Sequence, residues 1–212
     1  MTNQKILSPA MLKTYEQCRK KFLLRYIRNI MMPQPSTMFE KGKNIHALAN
    51  YFLSGLDIKK FELALDDDEK ILWDKLKNNN YFNKEVFRTE FTLNFKLNEH
   101  WFGGRVDAIV KSNNDYFILD YKTGSAPKEP KYDYQTMVYS VALDKYLREY
   151  NCLNFVYIEL KTNENVIVEI TDELIKEYQS KLQTTATKIM LLSENNLPSF
   201  KDCKCEYSKI CF

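Results

Sequence analysis

The chain has 212 residues, 44% of them apolar and 28% charged, with a formal net charge of only +3. That length supports one ordinary domain with a true hydrophobic core, with or without a helical extension. No apolar run approaches the ~18 residues of a membrane span, the small charge excess argues against a general polyanion binder, and Met1–Leu7 carries no signal-peptide core, so a cytoplasmic setting is expected.

Ser8 followed by Pro9 predicts a helix start, an N-cap oxygen and then proline in the first turn. Leu12, Tyr15, Phe22, Leu23, Tyr26 and Ile27 continue it at helical spacing, until Pro33 and Pro35 end it. The basic run Arg19, Lys20, Lys21, Arg25 and Arg28 reads equally as a solvated helix face or as a local basic groove. A second helix is predicted from about Met38 to Leu53, carrying His46. A third spans Asp66 to Asn79, its acidic first turn suited to the helix dipole. The period then changes. Phe91, Leu93, Phe95 and Leu97 alternate with polar residues as in a strand. Trp101–Lys111 and Asp115–Lys122 follow as strands around the turn Ser112-Asn113-Asn114-Asp115, since asparagine tolerates positive φ. A helix over Tyr132–Tyr150, strands at Leu153–Leu160 and Val166–Ile170, and a helix opened by Thr171 and reaching about Ser193 complete the chain. This order predicts an α/β protein with one central mixed sheet flanked by helices. A single domain over 1–212 is expected: a helical part at 1–80, a core at 86–193 and a cysteine-rich tail at 194–212.

With Asn113-Asn114 as the turn, positions summing to 227 face each other across the hairpin. Asp107 then opposes Asp120, Arg105 opposes Lys122, and Ile109 opposes Ile118. Val106, Ala108 and Val110 meet Tyr121, Leu119 and Phe117 on the other face. Residues two apart share a side of a strand, so Asp120 and Lys122 project together. Two facing carboxylates repel unless one is protonated, and a divalent cation removes the conflict by binding both. A neighbouring lysine can then hold a water or charge developing on a phosphate. A turn at Asn98-Glu99 brings Glu90 opposite Asp107 as a further candidate, with Gly103-Gly104 expected to form a bulge between them.

Five cysteines (Cys18, Cys152, Cys203, Cys205 and Cys211) are an odd count and argue against a disulfide framework. Three of them cluster near residue 205, which suggests metal ligation. Cys152 reads as a small core residue.

Taken in order, Gly42-Lys43-Asn44-Ile45-His46, Gly103-Gly104-Arg105-Val106-Asp107, Ile118 to Gly124 and Gln135 to Tyr139 resemble the motifs of the PD-(D/E)XK nuclease superfamily, and within it the RecB-like nucleases. The resemblance implies a restriction-endonuclease-like core. It implies His46, Asp107 and Asp120 as metal ligands together with the Tyr121 carbonyl, Lys122 as catalytic lysine, and Gln135 and Tyr139 on one face of a helix beside the site. Oxygen ligands with one imidazole suit Mg²⁺ or Mn²⁺. The cysteines are similar to those of the subgroup holding CRISPR-associated Cas exonucleases and the AddB nuclease domain. That implies a 4Fe–4S cluster on Cys18, Cys203, Cys205 and Cys211, with Zn²⁺ as the alternative. Cys203 and Cys205 stand one residue closer than that subgroup's usual spacing. The implied activity is metal-dependent hydrolysis of DNA, by an exonuclease acting on ends or single strands. The alternative is a non-catalytic nucleic-acid-binding protein that keeps the fold. A helicase, recombination-repair or CRISPR partner would be a separate chain, and oligomeric state is not legible.

Overall fold

The computed structural model describes residues 5–32, 37–193, 197 and 205–210. Five strands, β1 (Glu85–Leu97), β2 (His100–Ser112), β3 (Asp115–Lys122), β4 (Cys152–Glu159) and β5 (Glu164–Ile170), form one sheet in sequence order. Neighbours run antiparallel except β3 and β4, which are parallel. A parallel pair needs a crossover, and helix α6 (Tyr134–Tyr146) lies in it. With α1 (Pro9–Gln17) and α7 (Asp172–Met190), α6 packs Leu12, Val138 and Tyr178 onto one face of the sheet. On the other face α3 (Thr37–Leu53) and α5 (Asp67–Lys77) pack Ile45, Leu48 and Trp73 against Leu119 and Tyr121. This is the mixed sheet between helical layers that the element order predicts. No helix among the described residues is long and apolar enough to cross a membrane.

Capping chemistry accounts for most helix starts. Ser8 Oγ accepts the Met11 N–H at 3.3 Å, and Asp66 and Glu69 form a reciprocal capping box at the head of α5. The long first helix expected from periodicity is instead broken at Cys18. That residue is extended (φ −161°); it closes α1, and its Sγ accepts the Lys21 N–H of the four-residue α2 (Arg19–Phe22) at 3.3 Å. A π-helical turn, Leu23–Ile27, follows. The short α4 (Lys59–Ala64) was not expected, and α6 stops at Tyr146 rather than near Tyr150. Cys152, read as a core residue, opens β4 and is exposed.

The β2–β3 register sums to 227 as predicted, from Ser112↔Asp115 to Ala108↔Leu119, with Asn113 in the left-handed region (φ 55°). There the ladder ends. Leu7 takes over the vacated edge of β2 further along: its N–H donates to the Trp101 carbonyl and its carbonyl accepts from Gly103. The two central strands thus part like a fork, and Asp107 sits in the crotch. Three expectations change in consequence. Asp107 and Asp120 are not a ladder pair, because the strands have separated before reaching them. Arg105 does not face Lys122 for the same reason, the β2–β3 ladder having ended at Ala108↔Leu119, and its ladder partner is Thr92 on the β1 edge. Val106 packs in the same layer as Ile109, not with Ala108 and Val110, so the pleat alternation breaks at Asp107. The Gly103-Gly104 bulge is also absent: Leu93↔Gly104 and Asn94↔Gly103 are in regular register, and the bulge in β1 falls between Val86 and Arg88.

Candidate active site

The fork gathers most of the candidate residues. Asp107 answers the missing ladder partner with its side chain, Oδ2 accepting the Tyr121 N–H at 3.1 Å. His46 comes from α3 across the sheet. Its Nδ1 lies 3.1 Å from Asp107 Oδ1, and its Nε2 lies 3.0 Å from the Tyr121 carbonyl oxygen. Gly42 of α3 lies beside Thr123 at the end of β3, where a Cβ would meet Thr123 Oγ1 at an ordinary contact distance of 3.4 Å.

On the α6 side, three contacts close a ring. Lys122 Nζ lies 2.7 Å from Asp120 Oδ2 and donates to Gln135 Oε1 at 2.8 Å, while Gln135 Nε2 donates to Asp120 Oδ1 at 2.8 Å. Of the two Lys122 contacts only that to Gln135 is an aligned hydrogen bond, so the ammonium retains further donors. Asp133 fixes where Gln135 stands: its carboxylate N-caps α6 by accepting the Gln135 N–H at 2.9 Å and pairs with Lys13 of α1 at 2.8 Å.

Tyr139 is one turn beyond Gln135 and rests over Gly104. A Cβ on Gly104 would stand 2.9 Å from the Tyr139 hydroxyl and 3.1 Å from its Cε1, and a Cβ on Gly103 would fall 2.4 Å from the Leu93 carbonyl. Close approach, rather than a bulge, is what requires both glycines. Gly104→Ala is therefore expected to destabilise the protein by about 1–2 kcal/mol through overpacking. Adding Tyr139→Phe, which deletes the nearest atom, should recover part of that. A thermal double-mutant cycle showing strict additivity would refute the contact.

Electrostatics at the fork favour added positive charge. Burial pushes the Asp120 carboxyl up to about 6; the neighbouring Asp107 adds to this, and Lys122 and His46 oppose it. Burial alone would lower the His46 pKa, but the Asp107 carboxylate outweighs it and holds the imidazole above its ordinary value. Both His46 nitrogens face oxygen acceptors, which suits the doubly protonated ring. Glu90 is raised by burial as well, against the pull of Arg105. It sits in the left-handed region (φ 46°) where the register brings it beside Asp107, and it pairs with Arg105 at 2.7 Å. A non-glycine residue there stores roughly 1 kcal/mol or more of backbone strain.

Among the described residues no set of three His, Cys, Asp or Glu side chains already closes around one point. The donor set nevertheless fits a hard divalent cation. Asp120 Oδ2 is buried and accepts no aligned hydrogen bond, although Lys122 stands beside it as an ion pair. The 3.0 Å separation of His46 Nε2 from the Tyr121 carbonyl oxygen matches that of neighbouring ligands on an octahedral ion, roughly 3 Å apart at bond lengths of about 2.1 Å, while Nδ1 on the other side of the ring is held by Asp107. A cleft of about 700 Å³ opens onto His46, Asp107 and Glu90, and is also lined by Lys43, Asn50, Tyr51, Arg105 and Thr123. Asn50 was not singled out from sequence, although it follows His46 by one helical turn; its Oδ1 accepts the Thr89 hydroxyl at 2.9 Å.

Of the candidate cysteines, Cys18 and Cys205 are half-buried and in no disulfide; Cys203 and Cys211 lie outside the described residues. Near Cys205, Tyr207 is buried against Leu23 and Leu24 and donates to the Ile30 carbonyl at 2.8 Å.

A family model described as the PD-(D/E)XK nuclease superfamily matches residues 6–212. A CRISPR-associated exonuclease Cas4 of Francisella tularensis subsp. novicida is 25% identical over 126 residues, which is 57% of this chain and 61% of that relative's length. A solved structure from Eubacterium rectale, named as a candidate exonuclease, superposes with a TM-score of 0.66 at 14% identity; the match covers 98% of this chain and 88% of that one, and shows likeness of fold.

Proposed function

This chain belongs to the PD-(D/E)XK nuclease superfamily, and from that premise we propose that it is a divalent-metal-dependent deoxyribonuclease acting on DNA ends or single strands. The observation that carries the reading is the convergence of Asp107, Asp120, Lys122 and Gln135 at the fork, with His46 brought in from the opposite layer. His46, Asp107, Asp120 and the Tyr121 carbonyl would hold Mg²⁺ or Mn²⁺. A cation bound there supplies acidity to a water and neutralises charge on the scissile phosphate.

The chain's own groups do the remainder. Lys122 keeps N–H donors for the attacking water or a phosphate oxygen, and Gln135 holds its ammonium in place. Burial makes the ionised form of Asp120 costly, and a bound cation would relieve that cost, which couples the carboxylate to cation binding. Tyr139, kept protonated by burial, offers a hydroxyl beside Gly104 rather than a base. Glu90 and Arg105 neutralise each other at the cleft wall until a phosphate competes for the guanidinium.

The whole chain is read as one nuclease domain. The docking of Tyr207 beside the segment that follows Cys18 supports a tail tied to the first helices, through a 4Fe–4S cluster or Zn²⁺ on Cys18, Cys203, Cys205 and Cys211. A CRISPR or DNA-repair setting with a separate partner follows the likeness to the Cas4 protein.

End-labelled single- and double-stranded DNA, incubated with Mg²⁺ or Mn²⁺ and with chelator, tests the reading. Cleavage that requires the cation supports it. Binding without cleavage under both cations would favour the non-catalytic alternative.

A further inference from the structure

Helix α4 buries none of its residues. It nevertheless holds Phe61, half exposed, against Tyr51 of α3, with ring centroids 5.0 Å apart and planes tilted by 38°. Tyr51 lines the same cleft as His46 and Asp107. It follows His46 by five residues, roughly 7.5 Å along the helix axis, which is about two nucleotides at the stacked spacing of one strand. Lys43, Asn50, Arg105 and Thr123 also line the cleft around the acidic centre. Tyr51 rests partly on the α3–α5 core, but Phe61 lies outside that core and leaves apolar surface in water at the edge of the cleft. Nucleobases are the part of a nucleic acid that such a surface suits, because every base has a π-face.

We propose that Tyr51 and Phe61 form a stacking platform for an unpaired nucleobase of the strand whose phosphate lies at the fork, and that this platform selects unpaired ends over duplex. The inference rests on the nuclease reading and adds the residues that choose the strand. Within a duplex each base is covered by its neighbours and tied to its complement, and taking it out of the stack costs a few kcal/mol. An unpaired base meets the platform without that cost. Lys43 and Arg105 are the cleft cations that suit the adjoining phosphates, as backbone contacts that position without reading sequence.

The test uses single-stranded oligonucleotides carrying the fluorescent base 2-aminopurine at successive positions from one end. They are mixed with Lys122→Ala protein and Mg²⁺, so that binding is read without cleavage. Quenching confined to one or two positions is expected. Tyr51→Ala with Phe61→Ala should abolish it and weaken single-strand binding roughly 10- to 100-fold. Tyr51→Phe, which keeps the ring, should restore the quenching. Phe61→Ser, at an exposed position, guards against misfolding and should show a smaller loss of the same kind. In the otherwise unaltered enzyme, the preference for single strands over duplex should fall with binding.

If the wild type cuts DNA and the double variant binds and prefers single strands as before, the platform is wrong and the nuclease reading stands. If no cation supports cutting but the position-specific quenching appears and needs Tyr51, the platform stands as a binding site and the nuclease reading falls. Quenching spread evenly along the oligonucleotide, or unchanged without the rings, overturns the platform.

Discussion

Replacing Lys122 with alanine is expected to slow cation-dependent DNA cleavage by roughly 10²- to 10⁴-fold, the range for losing a positioned proton-handling or charge-stabilising group. The loss should fall on kcat. The ammonium contacts Asp120 and Gln135 in the resting site, and its remaining donors serve the reaction rather than the hold on DNA. Arginine is not expected to rescue, because a planar fork cannot reproduce a compact ammonium between Asp120 and Gln135. Removing Lys122 leaves Asp120 without its buried counter-charge, so the metal-free variant should also be less stable. Thermal unfolding in Mg²⁺ separates that effect from the catalytic one. A variant that remains folded, binds Mn²⁺ and cuts within threefold of the wild type would remove Lys122 from the chemistry.

Asp120→Asn is expected to move activity and stability in opposite directions. Cleavage should fall by at least about 10³-fold, since the change removes a charged ligand and weakens the ring that holds Lys122. Without a cation, the same change should stabilise the fold. The sign follows from the raised pKa. In the folded protein Asp120 titrates near 6, against an ordinary value of 3.8. Its ionised form therefore costs stability, a cost absent below pH 4 that grows as pH rises and is complete above pH 6. At pH 7 this amounts to roughly 2–3 kcal/mol. For a chain of this size that corresponds to an increase of about 4–10 °C in Tm. In chelator, wild type and variant should melt together at pH 4 and diverge by pH 7. In Mg²⁺ the advantage should shrink or reverse, because ligand binding stabilises only the protein that retains the carboxylate. Equal Tm values in chelator at pH 7 would contradict the account.

Local chemistry made much of this molecule readable. Asn113-Asn114 dictates a two-residue turn, and the turn dictates the register to Ala108↔Leu119. Ser8-Pro9, Asp66 with Glu69, and Thr171 each mark a helix start with their own side chains. Long-range causes were not readable. The apolar spacing from Leu12 to Ile27 is continuous, yet the backbone breaks at Cys18. Gly103 and Gly104 look like a kink until Asn94, Leu93 and Tyr139 are known to press on them. The parting of β2 and β3 depends on Leu7 taking the vacated edge, a partner some 100 residues away in sequence that no hairpin arithmetic includes. Legibility at the site divides the same way. His46, Asp107, Asp120, Lys122 and Gln135 announce themselves by type and order, whereas Arg105 turns to Glu90 because strand pairing, not sequence spacing, decides its neighbours.

The fork has a consequence for how occupancy of the centre could be followed. Most amides in a central strand are held by a ladder that does not sense ligands. The Tyr121 N–H is held by the Asp107 carboxylate, a group that a cation would recruit from the same position. Hydrogen exchange at this single amide would therefore respond to a cation that engaged Asp107, so one backbone proton would report whether the proposed site is filled.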